Sequence, residues 1–146
     1  MKILTLMLGL LWVVVTGAVN AADIRVENAW ARATAPGLPT GAVYFDLINT
    51  AARGDQLIGV STARAPRAEI HRTIESSGNS QMVHTPTVRI PAEQSVTFAP
   101  TGRHIMLMGL TQALAEGERF TLTLAFSSAE PIVVEVEVKA PTAMDH

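Results

Sequence analysis

The segment Ile132–Val138, which reads IVVEVEV, decides the fold class of this chain. From Val134 onwards valine and glutamate alternate, so all the valines would lie on one face of an extended strand and both glutamates on the other. One apolar face and one charged face are typical of a strand that covers a hydrophobic core. The segment therefore predicts a β-strand whose valines point inward.

The rest of the chain also has the pattern of short β-strands separated by turns. Short runs rich in β-branched and aromatic residues are separated by Gly, Pro, Asn, Asp and Ser, and no segment keeps an apolar period of 3.6 residues. A single helical turn is expected at Gln112–Glu116, and a long hairpin loop at Glu75–Ser80. About nine short strands predict an all-β fold, a two-sheet β-sandwich with Greek-key connections. The expected strands are Ile24–Trp30, Gly41–Asn49, Gln56–Ala63, Arg67–Ile74, Gln81–Thr85, Ser95–Phe98, His104–Leu110, Phe120–Phe126 and Ile132–Val138.

Composition excludes several classes of protein. The chain has 146 residues, of which 48% are hydrophobic, so one compact domain is expected and intrinsic disorder is not. The absence of cysteine excludes disulfides, Cys-ligated zinc and blue-copper sites with a Cys ligand. A net charge of -2, only 5% aromatic residues and no basic run argue against a nucleic-acid-binding protein.

The first 22 residues have the three-part pattern of a signal peptide. Lys2 precedes the apolar run Ile3–Val15, and small residues follow up to a cleavage site after Ala21 or Ala22. An uncleaved anchor is the alternative, but the apolar run is shorter than the roughly 20 residues that span a bilayer. We therefore expect export to a bacterial periplasm or out of the cell, and the lack of cysteine argues against a lipoprotein. Its expected parts are a signal peptide (1–22), a β-sandwich domain (23–138) and a flexible tail (139–146).

Histidine and methionine occur together at spacings that suit a metal site. Residues i and i+2 of a strand share a face, so His104 and Met106 point the same way, as do Met82 and His84. His71 lies across the expected hairpin from the latter pair. Imidazole and thioether groups are soft to borderline donors, and thioethers select Cu(I). Copper(I) bound by two His and two Met is the natural interpretation of this inventory.

Structural roles for these residues are the alternative. Met106 and Met108 lie in an apolar run, where methionine commonly fills a core, and we expect Met108 to be buried there. Enzymatic chemistry has less support, because no Gly-x-Ser-x-Gly motif is present.

The spacing of these residues resembles that of the periplasmic copper chaperones of the PCuAC type. Ten residues separate His71 from Met82, twenty-one separate Met82 from His104, and His104-Ile105-Met106 follows. The family signature is His-x10-Met-x21-His-x-Met. The resemblance runs roughly from Ile24 to Val138 and also includes the segments Ala29–Thr34, Gly41–Tyr44 and His104–Leu110.

The resemblance implies a cupredoxin-like Greek-key β-sandwich that binds Cu(I) and is not an enzyme. It implies that His71, Met82, His104 and Met106 are the metal ligands, and we expect them to converge near one end of the sandwich, close to the surface. The implied partners are the copper-accepting subunit of a respiratory cytochrome oxidase and a thioredoxin-like Sco-type protein.

Two other functions fit the same sequence. One is a β-sandwich module that binds a protein or a glycan, in which the His and Met residues are structural. The other is a buffer that sequesters copper instead of delivering it. A separate hypothesis is a weak second site for Cu(II), to which His84 and the tail with Met144 and His146 would lend donors. We expect instead that His84 is a solvated hairpin residue and that the tail forms no site, because chain ends are usually disordered.

Overall fold

The structure, a computed structural model, describes residues 23–143. The expected signal peptide and the last three residues of the expected tail lie outside the described residues. Within them the chain forms ten β-strands and no helix. The strands are β1 (Ile24–Arg32), β2 (Thr40–Asn49), β3 (Asp55–Ser61), β4 (Arg67–Ser76), β5 (Asn79–His84), β6 (Val88–Ile90), β7 (Ser95–Phe98), β8 (Arg103–Met108), β9 (Arg119–Phe126) and β10 (Ile132–Lys139).

The all-β prediction is confirmed. The helical turn expected at Gln112–Glu116 does not form, and two further local predictions need correction. Strand β6 was not expected, because it has only three residues and lies between Pro86 and Pro91. The prediction of a long loop at 75–80 was also wrong. Strands β4 and β5 continue to Ser76 and Asn79, and Ser77 and Gly78 form a two-residue turn with φ of 51° and 79°. Two positive φ angles are the mark of the type I′ turn, which matches the twist of a hairpin.

Hydrogen bonding joins all ten strands into one continuous sheet. Their order is β5-β4-β8-β7-β2-β1-β10-β9-β3-β6, so β5 and β6 are the two edges. The pairs β1–β10 and β7–β8 are parallel, and the other pairs are antiparallel. An extra pairing of β8 with β2 beside β7 helps the sheet to fold back on itself.

A single hydrophobic cluster lies inside the folded sheet. It collects alternate residues from every strand except β5, and in β10 these are Val134, Val136 and Val138, as the alternation predicts. Phe45 and Phe98 stack at a centroid distance of 4.5 Å within it. Each fully buried large side chain contributes roughly 1.5–3 kcal/mol of hydrophobic stabilisation. Strand β5, whose six residues are all exposed, stands outside this core.

The carboxyl end of the described chain remains close to the sandwich. Strand β10 includes Lys139, and the Arg32 guanidinium donates a hydrogen bond of 3.1 Å to the Ala143 carbonyl. The expected flexible tail beyond 138 stays a prediction. No helix among residues 23–143 is long and apolar enough to cross a membrane.

Candidate metal centre

Strand β8 supplies two of the predicted ligands. Its side chains alternate, so Ile105 and Leu107 are fully buried in the core while His104, Met106 and Met108 lie on the other face. His104 is nevertheless only 2% exposed. Met108 was expected in the core, and that was wrong, because the alternation assigns the core position to Leu107. β8 therefore presents its His and Met donors together on one side.

Strand β4 places the third ligand beside them. His71 is the direct cross-strand partner of His104, and the two ring centroids are 5.9 Å apart. With a metal–nitrogen bond of about 2.0 Å, the centroids of two imidazoles that share one ion lie no more than about 6 Å apart. The pairing of β4 with β8 thus sets the two histidines at a spacing that one metal ion can bridge.

The β4–β5 hairpin carries the fourth ligand. Met82 pairs with Thr73, which lies two residues after His71 on the same face of β4. Its diagonal relation to His71 spans about 7–8 Å between Cα atoms, which a long side chain can cover. Met82 is 58% exposed on the edge strand. The methionine thus lies at the solvent side of the histidine pair.

All four predicted ligands project from one face of the three neighbouring strands β5, β4 and β8, where His71 and His104 are in ring contact. Convergence of the two methionines on the same ion stays a prediction. Within residues 23–143, no three Asp, Glu or His side chains are grouped as a metal site.

Each imidazole of the pair has one nitrogen occupied and one free. His71 Nε2 donates to Glu69 Oε2 at 3.1 Å, and His104 Nδ1 donates to the Gly102 carbonyl at 3.4 Å. The other nitrogens, His71 Nδ1 and His104 Nε2, are buried and have no hydrogen-bond partner. Buried polar atoms without partners are rare, and each costs free energy. Two free lone pairs on adjacent rings fit a site built for a metal ion.

Glu69 is a functional candidate that the sequence analysis missed. It lies two residues before His71 on the same strand face and also forms an ion pair with Arg67. The hydrogen bond from His71, and then that from Arg67, lowers the pKa of the Glu69 carboxyl. A carboxylate that accepts the second N–H of a ligand histidine fixes its tautomer and orientation. The Glu-x-His spacing in a strand was the signal that could have found it.

Replacing Glu69 with alanine is expected to weaken metal binding without removing a ligand. Loss of such an outer partner costs about 10–100-fold in affinity. Glu75→Ala is the matched control, since Glu75 is on the same face of the same strand near the hairpin turn. Equilibrium titration with Cu(I) would measure both variants. Equal effects would show that the Glu69 change acts through net charge and not through His71.

Burial also shapes the protonation of His104. Desolvation lowers its pKa, the hydrogen bond to Gly102 opposes this, and the charge of His71 acts in the same direction as burial. A pKa depressed in the folded state means that the unfolded chain binds more protons below its own pKa of about 6.5. The neutral imidazole, which is the metal-binding form, is thus favoured by the fold.

The metal-free protein should accordingly lose stability as the pH falls. The cost of protonating the buried His104 imidazole is absent above about pH 7 and grows as the pH drops through about 6.5 towards the lower pKa of the folded state. Thermal unfolding at pH 7.5, 6.5 and 5.5 would measure this, with His104→Leu as the reference without the imidazole. Identical pH profiles for the two proteins would contradict it.

Known proteins resemble this chain over most of its length. The family described as "Putative lipoprotein LpqE-like" matches residues 24–138, and the chain belongs to it. This is the family of the PCuAC domains, so the resemblance found in the sequence is confirmed. One relative, "Putative lipoprotein Lxx21020" from Leifsonia xyli subsp. xyli, is 33% identical over 121 residues, which cover 82% of this chain and 72% of that protein.

Solved structures share the fold. The copper-bound PCuAC domain of PmoF2 superposes with a TM-score of 0.71 at 28% identity, over 84% of this chain and 97% of that domain. The Cu(I) form of DR1885 from Deinococcus radiodurans gives a TM-score of 0.66 at 30% identity, over 85% and 83% of the two chains. The cupredoxin-like β-sandwich is therefore confirmed.

Proposed function

We propose that this protein is a periplasmic copper chaperone that binds Cu(I) through His71, Met82, His104 and Met106. It delivers the ion to the copper centre of a respiratory cytochrome oxidase, in cooperation with a Sco-type protein, and catalyses no reaction. The observation that carries the proposal is the pair of buried imidazole nitrogens without partners on the strand face that also presents Met82 and Met106.

The chemistry of the donors supports Cu(I) over other ions. The set has two neutral imidazoles and two thioethers, whereas calcium and magnesium need several oxygen ligands. Thioethers need no deprotonation and favour the softer, reduced ion. The relatives support the same choice, because the PmoF2 domain contains copper and DR1885 has been solved with Cu(I).

The placement of the site supports transfer and not permanent storage. His104 is buried, but Met82 is 58% exposed on an edge strand with no core side chains. A partner protein can therefore reach one ligand while the others still hold the ion. A structural metal site, which is closed, would have no need of such an exposed ligand.

A protein- or glycan-binding module is the second candidate, and the unpaired nitrogens argue against it. Such a module has no use for two buried imidazoles that lack partners, since each unsatisfied group costs about 1–3 kcal/mol. Titration of the purified protein with Cu(I) separates the two candidates. We expect one tightly bound ion per chain, and no stoichiometric uptake would refute the chaperone.

An experiment in cells distinguishes copper delivery from copper buffering. A deletion strain should lose oxidase activity under copper limitation, and wild-type protein should restore it while Met82→Leu/Met106→Leu should not. The matched Met108→Leu variant, which changes a methionine that is not a predicted ligand, should restore it fully. If deletion causes only copper sensitivity, with normal oxidase activity, the protein is a buffer.

A further inference from the structure

The hairpin adds a third histidine to the pair. The two-residue turn at Ser77–Gly78 fixes the register of β5, which places His84 directly opposite His71 on the metal-site face. Their ring centroids are 5.8 Å apart, almost the same as the 5.9 Å between His71 and His104. Both distances fall within the limit of about 6 Å for two imidazoles on one ion. His84, His71 and His104 therefore form a row across three strands, with His71 in the middle.

Exposure changes in steps along this row. His84 belongs to the exposed edge strand, the His71 side chain is 15% exposed, and His104 is only 2% exposed. Solvent thus reaches the outer end of the row and not the inner end. His84 was predicted to be a solvated hairpin residue, and its exposure agrees, but the strand register also places it opposite His71.

We propose that His84 is an additional copper ligand that forms an outer, solvent-facing position for the ion together with His71 and Met82. Met82 and His84 lie two residues apart on the same face of β5, which brings a thioether and an imidazole to this position. This inference rests on the proposed function and assigns a route to it.

Copper enters and leaves the buried position by ligand exchange around His71. An incoming ion binds first to His84 and Met82, is then bound by His71, and moves inward when His104 and Met106 replace His84. On entry, the bonds to Met82, His84 and His71 replace those to the ligands of the copper donor. In the inward step the bond to His84 breaks while bonds to His104 and Met106 form, so the ion passes from three protein ligands to four. It remains Cu(I) throughout, so no electron is transferred. His71 can take part in both positions because its free Nδ1 is not used by any other group.

A kinetic comparison of two variants of the same shape tests the route. His84→Leu and His84→Met have side chains of similar size, but only methionine retains a donor atom for Cu(I). The purified protein would be loaded with one Cu(I), and transfer to the chelator bathocuproine disulfonate would be followed by stopped-flow absorbance. We expect His84→Leu to slow the transfer at least about tenfold, and His84→Met to remain within about threefold of wild type.

Equilibrium affinity provides the second readout. It should change by less than about threefold in both variants, because the inner position keeps all four of its ligands. His146→Ala, which removes an imidazole near the end of the sequence, is the control and should leave the transfer rate unchanged. An unchanged rate in His84→Leu, or an equally slow rate in His84→Met, would overturn the role of His84.

Two further outcomes have separate meanings. An affinity loss in His84→Leu as large as that in His71→Leu would overturn the route, since His84 would then be a principal ligand. A wild-type protein that takes up no Cu(I) would refute the proposed function itself. Failure of the inference alone requires a loaded wild-type protein, so the two failures are distinguishable.

Discussion

Replacing Met82 and Met106 together with leucine is expected to lower Cu(I) affinity by more than about 100-fold, beyond the 10–100-fold cost of losing an outer-sphere partner. The change removes both thioethers and leaves two imidazoles. Leucine and methionine have similar volumes, and such exchanges usually cost less than about 1.5 kcal/mol of folding stability. Met82 is largely exposed, which reduces the cost further.

Competition titration against a Cu(I) chelator and chemical unfolding of the metal-free protein measure the two quantities separately. Met108→Leu is the matched control, because Met108 follows Met106 on the same face of β8 but is not a predicted ligand. The control should bind Cu(I) like wild type. Wild-type Cu(I) affinity in the double variant would show that the two methionines are not ligands, even if the histidines are.

The fold class could be predicted from sequence because each strand is marked by an alternation of neighbouring residues. The valine–glutamate alternation of β10 identifies a strand with one buried face, and the same period recurs in most of the chain. Strand β6 was missed because three residues between prolines carry too little pattern. The hairpin turn was misjudged because its polar residues from Glu75 to Ser80 look like a loop, and only the φ angles show that strand pairing continues to Ser76.

The site could be predicted in part, for a different reason. The spacing of His71, Met82, His104 and Met106 was visible as a family pattern, but the pattern gives no distances. The direct pairing of His71 with His104 depends on the register of β4 and β8. These two strands are far apart in the sequence, with β5, β6 and β7 between them. The pairing of His84 with His71 depends on a turn of two residues. A shift of one residue in either register would move these side chains to opposite faces.

The same geometry implies a cost that the metal-free protein bears. His104 is a polar side chain with 2% exposure, a long hydrogen bond to Gly102 and a buried Nε2 that has no partner. Residues kept for binding commonly lower the stability of the fold. In this protein His71 and His104 each have a buried nitrogen without a partner, and His104, the more deeply buried of the two, is the residue at which this cost is best measured.

Replacing His104 with leucine should therefore have opposite effects on folding and on copper binding. The metal-free variant should be more stable than wild type by about 1 kcal/mol, since an unsatisfied buried group costs about 1–3 kcal/mol and the leucine fills similar space. Cu(I) affinity should fall by more than about 100-fold, more than the loss of an outer-sphere partner causes. Copper at 1,000 times the wild-type dissociation constant stabilises the wild-type fold by about 4 kcal/mol, whereas a variant of 100-fold weaker affinity should gain no more than about 1.4 kcal/mol.

Thermal and chemical unfolding with and without Cu(I) measure both effects in one series. His71→Leu is the informative comparison, because the His71 imidazole donates to Glu69 and its removal leaves that carboxylate without its partner. We expect His71→Leu to lose copper binding without any gain in stability. If His104→Leu is instead less stable than wild type without metal, its imidazole contributes to the fold, and the unpaired nitrogen is not a cost accepted for copper. The sign of that one difference in unfolding free energy decides between a histidine kept for packing and a histidine kept for the ion.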